Sequence, residues 1–187
     1  TIHLDLRKLC FEGSESELRL TENTQPALLT VSTSCHEVAH REFGFQPSFV
    51  AGHSLGEYSA LVANGSIRFR NAVHWVRERG KAMQAAVPEG SGGMVAVMGL
   101  ENETLTELCN SVGDVEPANF NAPGQVVLAG TTKGIKKIQE EIQKGVQEKR
   151  YRGAKTVELA VSAPFHSSLM KSAREKMSQL LQALDPG

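Results

Sequence analysis

The alternation of apolar and polar positions predicts a chain of mixed helices and strands. Apolar residues recur at the three- and four-residue intervals of amphipathic helices over residues 23–43, 55–63, 71–87, 104–112, 134–147 and 169–184. Compact apolar runs predict strands at 47–51, 94–98, 115–119, 125–129 and 156–161. The fold class that follows is α/β.

A glycine cluster at Pro88–Gly93 interrupts this pattern and lacks the spacing of a phosphate-binding loop, so it is interpreted as a hinge. Beyond it the elements follow the order strand, helix, strand, strand, helix, strand, which is the ferredoxin-like order. We therefore predict a main α/β body from residues 1–90 and 162–187, with a ferredoxin-like subdomain inserted at 91–161.

Composition excludes several classes of function. The net charge of −1 and the absence of like-charge runs disfavour a nucleic-acid-binding or membrane-surface protein, and no apolar run reaches transmembrane length. Cys10, Cys35 and Cys109 have neither metal-ligand nor redox spacing, which favours a reduced, cytoplasmic protein. His36 and His40 lie one helical turn apart but lack a third ligand, so no metal site is predicted.

The most informative stretch is Val50–Glu57, where an apolar run leads into Gly-His-Ser-Leu-Gly and then into helix-forming residues. A strained turn between a strand and a helix can present Ser54 as a nucleophile, with the Leu55 amide close to the negative charge that develops during acyl transfer. Gly52 and Gly56 would allow close approach of the backbone on both sides. The competing interpretation is a chance Gly-x-Ser-x-Gly in a loop, which the flanking elements disfavour.

Two further positions could complete such a site. Arg77 and Arg79 lie two residues apart on one predicted helix, so they cannot face the same way, and periodicity alone does not choose between them. His166 follows Pro164 at a predicted strand end, where catalytic residues of α/β sheets tend to lie. A capping or packing role for His166 fits the same position equally well.

Five blocks of sequence, spread over essentially the whole chain, are informative together. They are residues 24–29 (Thr-Gln-Pro-Ala-Leu-Leu), 52–61, 79–84 (Arg-Gly-Lys-Ala-Met-Gln), 119–127 (Asn-Phe-Asn-Ala-Pro-Gly-Gln-Val-Val) and 164–170 (Pro-Phe-His-Ser-Ser-Leu-Met). In this order they resemble the malonyl-CoA:acyl carrier protein transacylase family. The resemblance implies a hydrolase-like body with a parallel sheet, carrying the inserted ferredoxin-like subdomain.

The resemblance also implies residue roles. Ser54 would accept the malonyl group from coenzyme A, His166 would act as its base, and Arg79, rather than Arg77, would bind the free malonate carboxylate. Transfer to the phosphopantetheine thiol of acyl carrier protein, in fatty acid or polyketide synthesis, would need no cofactor.

Other positions in these blocks would contact substrate. They include His53, and also Phe165, which fits a preference for malonyl over methylmalonyl groups. For Asn119 and Asn121 two roles stay open, a hydrogen bond to the pantetheine arm or the ordering of a hairpin turn.

The chain departs from the family in two ways. No Gly-Gln-Gly-Ser-Gln motif, which would supply a second oxyanion donor, occurs in it, and it ends before the family's carboxy-terminal segment. We therefore expect a form truncated at both ends and possessing an incomplete hydrolase-like body. The alternatives are a serine esterase, for which Asp114 is the sole aspartate between Ser54 and His166, and an inactive carrier-protein docking fragment.

Overall fold

The computed structural model describes residues 4–88, 90–161 and 163–182. Among these described residues are eight α-helices, one short 3₁₀-helix at Ser168–Met170 and one four-stranded sheet, which is an α/β fold. The helices are α1 Leu6–Glu12, α2 Glu15–Arg19, α3 Thr21–Phe43, α4 Gly56–Ala63, α5 Phe69–Ala85, α6 Asn102–Val112, α7 Thr132–Gln147 and α8 Lys171–Gln182. The strands are β1 Gly92–Met98, β2 Val115–Ala122, β3 Gln125–Thr131 and β4 Lys155–Glu158.

The chain divides into two compact units. The first comprises Thr1–Ala82 with Glu175–Gly187, and the second comprises Met83–Arg174, so the divisions fall within α5 and within α8. The domain boundaries predicted at 90/91 and 161/162 stay a prediction, and Ser162 lies outside the described residues.

The first unit contains helices joined by loops, and its described residues form no strand. Its core joins α3, α4 and α5 around buried aliphatic side chains and Trp75, which is 5% exposed and therefore a core residue. The prediction of a strand at residues 47–51 is wrong, because these residues form no strand in the structure. A strand needs a hydrogen-bonded neighbour, and the described part of this unit supplies none. The predicted parallel sheet is accordingly not seen in the described residues.

The long helix α3 also differs from its predicted packing. Its amino-terminal third is buried, but Leu28, Val31 and Val38, which the periodicity assigns to an apolar face, are each at least half exposed. Most of the predicted apolar face is therefore exposed in the described residues, and the fully buried Leu29 lies outside that face.

The second unit contains the sheet. Its strand order is β2-β3-β1-β4 with every neighbouring pair antiparallel, and the order of elements along the chain is the predicted one. Alternate residues of β1 point to opposite faces. Val95 and Val97 pack with the aliphatic side chains of α6 and α7, while Met94 and Ala96 belong to a second cluster on the other face.

Helix α7 illustrates why these elements form where they do. The Thr131 hydroxyl caps its first turn by accepting from the Gly134 amide at 3.0 Å. Ile135, Ile138 and Ile142 then recur on one face and are all at least 96% buried. No helix among the described residues is long and apolar enough to cross a membrane.

Candidate active site

The backbone at Ser54 has the strained conformation that the sequence predicts. Ser54 has a φ of 53°, in the left-handed region that non-glycine residues rarely adopt. A Cβ on Gly52 would lie 1.9 Å from the Gly56 carbonyl, so the turn closes only with glycine at that position. Gly56 itself meets nothing within 4 Å, and the predicted close approach there is absent from the described residues.

Ser54 lies two residues before Gly56, the first residue of α4, with Leu55 between them. The amide of Gly56 donates to the His53 carbonyl at 2.8 Å, and that of Glu57 donates to the Ser54 carbonyl at 3.3 Å. Leu55, the residue between, is buried at 8% exposure and is anchored in the helical core. Its amide is thereby held next to Ser54 at the positive end of α4. His53 is exposed on the other side of the serine.

Arg79 lies against Ser54. Its Nη2 donates to Ser54 Oγ at 3.2 Å, and its Nη1 donates to Oε1 of the buried Gln25 at 2.6 Å. The guanidinium carbon stands 5.9 Å from the centre of the Tyr58 ring, within cation–π range. Burial lowers the pKa of Arg79 and raises that of Tyr58, and each partly offsets the other through their charges. An arginine nevertheless keeps its proton at neutral pH.

Arg77 is used differently. Its Nη1 donates to the Glu22 carbonyl at 3.1 Å and to Asn23 Oδ1, and its Nη2 forms an ion pair with Glu22 at 3.8 Å. Pro26 explains why that carbonyl is available: proline has no N–H to donate to the residue four positions earlier in α3. Arg77 therefore stabilises α3.

Arg79 is the arginine available to a ligand. Among the residues that the structure describes, no carboxylate forms an ion pair with it. Glu57 attracts it only at longer range. A partly buried cation beside a strained serine, held by a neutral amide, is suited to receive an anion.

His166 belongs to the second unit, in the turn between β4 and α8. It is exposed and has a φ of 59°, again in the left-handed region. Phe165, beside it, packs on the sheet cluster that contains Met94 and Ala96. Pro164 is fully buried, and a Cβ on Gly92 would lie 2.6 Å from its ring.

Asn119 and Asn121 lie on β2 rather than in a hairpin turn. The turn is the shorter Pro123-Gly124, and β2 continues to Ala122 through two register shifts. Asn121 is exposed and Asn119 partly so. The structure thus corrects the hairpin boundary, because β-bulges extend a strand past the residues that sequence assigns to a turn.

Among the described residues, no group of three or more His, Cys, Asp or Glu side chains is placed to hold a metal ion. His40 Nδ1 instead lies 3.1 Å from the carbonyl oxygen of Phe45 at the end of α3.

Comparison with known proteins decides the family. The model of the acyl transferase domain family matches residues 2–187. The chain belongs to this family.

The curated relatives that match this acyl transferase domain are themselves named as acyl-transferring enzymes. It is 47% identical over 189 residues to a malonyl CoA-acyl carrier protein transacylase of Bacillus subtilis (strain 168), covering 99% of this chain and 57% of that protein. It is 43% identical over 177 residues to the protein of the same name from Escherichia coli (strain K12), covering 93% and 55%. The acyl transferase domain thus spans little more than half the length of these relatives.

Solved structures agree with the fold. The acyl-carrier-protein S-malonyltransferase of Burkholderia pseudomallei 1710b superposes with a TM-score of 0.87 at 50% identity, covering 97% of this chain and 58% of that one. A malonyl-transacylase solved in complex with a type II polyketide synthase acyl carrier protein gives 0.89 at 44% identity, covering 97% and 58%.

Two residues beside Arg79 in this acyl transferase domain were not singled out as site residues from the sequence. Gln25 and Tyr58 flank the guanidinium of Arg79, one through its amide and the other through its ring. The available signal for Gln25 was its place in the family-like block at residues 24–29, since the residues before it are polar as well. No sequence signal indicated Tyr58, since its spacing is that of a core residue.

Proposed function

We propose that this domain belongs to an acyltransferase that moves a malonyl group from coenzyme A to the phosphopantetheine thiol of acyl carrier protein, in fatty acid or polyketide synthesis. The observation that carries the proposal is the contact of Arg79 with Ser54. It puts a partly buried cation with no ion-pair partner among the described residues beside a strained hydroxyl. A malonyl thioester, with its free carboxylate one methylene from the reacting carbonyl, matches that pair.

The proposed first half-reaction acylates Ser54. His166 removes the Oγ proton as that oxygen attacks the thioester carbonyl, and the Leu55 amide donates to the oxyanion. The tetrahedral intermediate expels coenzyme A, whose sulfur takes the proton from His166. A malonyl-serine ester remains on the enzyme.

The second half-reaction transfers the group. The carrier-protein thiol, deprotonated by His166, attacks the ester, and Ser54 leaves as the protonated hydroxyl. Proton and acyl group balance without a metal or organic cofactor, so none is proposed. The roles of His53, Asn119, Asn121 and Phe165 in contacting substrate remain part of this proposal.

A finer fold assignment accompanies the function. We infer that the second unit is a ferredoxin-like subdomain, supported by its element order and by the strand order β2-β3-β1-β4. We infer that the first unit belongs to a hydrolase-like body, supported by the left-handed Ser54 before α4 and by the close approach at Gly52. The free cysteines, of which Cys35 is exposed, support a cytoplasmic location.

Intact-mass measurement after mixing the full-length protein with malonyl-CoA tests the chemistry. We expect one malonyl group, mapped to Ser54 by peptide sequencing, absent from Ser54→Ala and formed far more slowly by His166→Ala. Addition of holo acyl carrier protein should discharge it onto the carrier. Faster release of free malonate would indicate the esterase instead, and a folded protein without adduct would indicate a docking function.

A further inference from the structure

The turn that contains His166 is held from both sides. On its amino-terminal side the ties are apolar: Pro164 is buried against Gly92, and Phe165 packs on the sheet. On its carboxy-terminal side the ties are polar. The Ser167 hydroxyl donates back across the histidine to the Pro164 carbonyl at 2.6 Å.

The second polar tie reaches the sheet. One oxygen of the Glu116 carboxylate, on β2, accepts from the Ser168 amide at 2.7 Å and from the Ser168 hydroxyl at 2.6 Å. Ser168 is the first residue of the helical run that continues into α8. The amide there has no partner within its own helix, and an anion is favoured at that end. Glu116, 52 residues earlier in the chain, supplies both the hydrogen-bond acceptor for this amide and the negative charge.

Ser168 lies two residues after His166, whose backbone conformation needs support from its surroundings. Left-handed φ at a non-glycine residue is unfavourable and persists only where the surroundings over-determine it. With His166 at a φ of 59°, release of the Ser168 end would let the turn relax toward commoner backbone angles and redirect the imidazole.

We propose that Glu116 is a positioning residue that fixes the direction of the His166 imidazole by fastening Ser168 to the sheet. The inference rests on the proposed function for its catalytic consequence, because His166 must act as base for its direction to matter. Its structural part stands on the hydrogen bonds alone.

Three variants of the full-length protein test it. Glu116→Ala removes the acceptor, Glu116→Gln retains an acceptor oxygen without the charge, and Glu140→Ala removes an exposed carboxylate of α7 as the matched control. We expect Glu116→Ala to lower kcat for malonyl transfer on the order of 10- to 100-fold, as small displacements of a catalytic group do, with KM for malonyl-CoA nearly unchanged. Glu116→Gln should recover most of the lost rate, and Glu140→Ala should behave as the parent.

A second readout does not depend on activity. The ring resonances of His166, assigned by their loss in His166→Gln, should shift in the ¹H–¹⁵N spectrum of Glu116→Ala and stay in place in Glu140→Ala. Unchanged resonances and unchanged kcat in a folded Glu116→Ala protein would overturn the inference. Shifted resonances with unchanged transfer would support the positioning and overturn the role of His166 as base.

If Glu116→Ala does not fold, Ser168→Ala serves in its place. This substitution removes the hydroxyl donor, keeps the hydrogen bond from the backbone amide of residue 168 to Glu116 and changes no residue of the sheet. The same ring resonances should then shift by a smaller amount, and their complete constancy would contradict the proposal.

Discussion

At the scale of single residues, the two arginines of α5 show how surroundings assign different roles to the same side chain. Arg77 is occupied by a carbonyl, an amide oxygen and a carboxylate, all from the start of α3. Arg79 has a neutral amide and a hydroxyl as its hydrogen-bond partners. Only the second can take up a substrate anion without first losing an ion pair.

Arg79→Ala should therefore change selectivity more than folding. We expect malonyl transfer to fall on the order of 100-fold or more, since two charge-assisted hydrogen bonds are lost, while acetyl transfer improves relative to it. Parallel kinetics with malonyl-CoA and acetyl-CoA measure the ratio. Arg77→Ala is the matched control, expected to lower the melting temperature without altering that ratio. An unchanged ratio in Arg79→Ala would remove the proposed carboxylate site.

Gln25 suits this site because it is uncharged. Gln25→Glu would put a carboxylate where Oε1 now accepts from Arg79, giving the guanidinium an internal partner. We expect KM for malonyl-CoA to rise on the order of tenfold, because the substrate must then displace an ion pair. Gln46→Glu adds the same charge at an exposed position and should leave KM unchanged. Equal effects of the two substitutions would point to net charge as the cause.

At the scale of elements, the placement of Arg79 depends on how closely α5 crosses α3. Gly80 is the contact: a Cβ there would lie 2.4 Å from the Cα of Glu22 and 2.7 Å from its nitrogen. Both are backbone atoms and cannot rotate away.

Gly80→Ala should destabilise the fold even though alanine favours helices. Forcing the helices apart costs about 3 kcal/mol or more, against a gain of about 1 kcal/mol from helix propensity. Gly93→Ala, where an added Cβ meets nothing within 4 Å, is the matched control. Denaturant unfolding of both variants gives the two free energies, and equal stability would show that α3 and α5 can separate without cost.

Elements also show how far sequence could predict this fold. The second unit follows its predicted order because its apolar runs pair with one another, up to 63 residues apart for Val95 and Glu158, and because its helices cover one face. Residues 47–51 look the same locally, but strand formation depends on a distant partner that no local pattern reports. Leu28 and Val31 raise the same difficulty for α3, since periodicity gives a face and not its neighbour.

The candidate site likewise contains one feature that local sequence could predict and several contacts that it could not. The glycine-flanked Ser54 could be predicted because its strain is a local property of the turn. Gln25 and Tyr58 reach Arg79 through the crossing of three helices, and the Glu116 tie joins residues 52 positions apart. Spacing along the chain carries no information on such contacts.

At the scale of the whole molecule, the buried thiol of Cys109 makes the free energy of unfolding depend on pH above about pH 9. Cys109 is 2% exposed within the core of the second unit, and burial, followed by the nearby charge of Glu116, raises its pKa from 9.0 to about 11. The thiol of the unfolded chain ionises first. Stability from this group is therefore full below about pH 9 and is lost as pH rises toward 11.

The free energy of unfolding should fall by about 2–3 kcal/mol over that interval on account of Cys109 alone. Lysines and tyrosines titrate there too, so the informative quantity is the difference between the parent and Cys109→Ala. We expect this difference to shrink as pH rises from 9 to 11 in denaturant titrations. A difference that stays constant across the interval would mean that the buried thiol does not resist ionisation.

The contact between Arg79 and Ser54 has a kinetic consequence for the proposed reaction. Without substrate, the cation draws electron density from the serine oxygen and engages a lone pair that an attack would require. An arriving carboxylate competes for that same N–H and, on binding, frees the hydroxyl. We therefore expect Ser54 to attack a thioester without a free carboxylate only slowly. The malonyl carboxylate would itself release the Ser54 hydroxyl from Arg79 and so allow the attack.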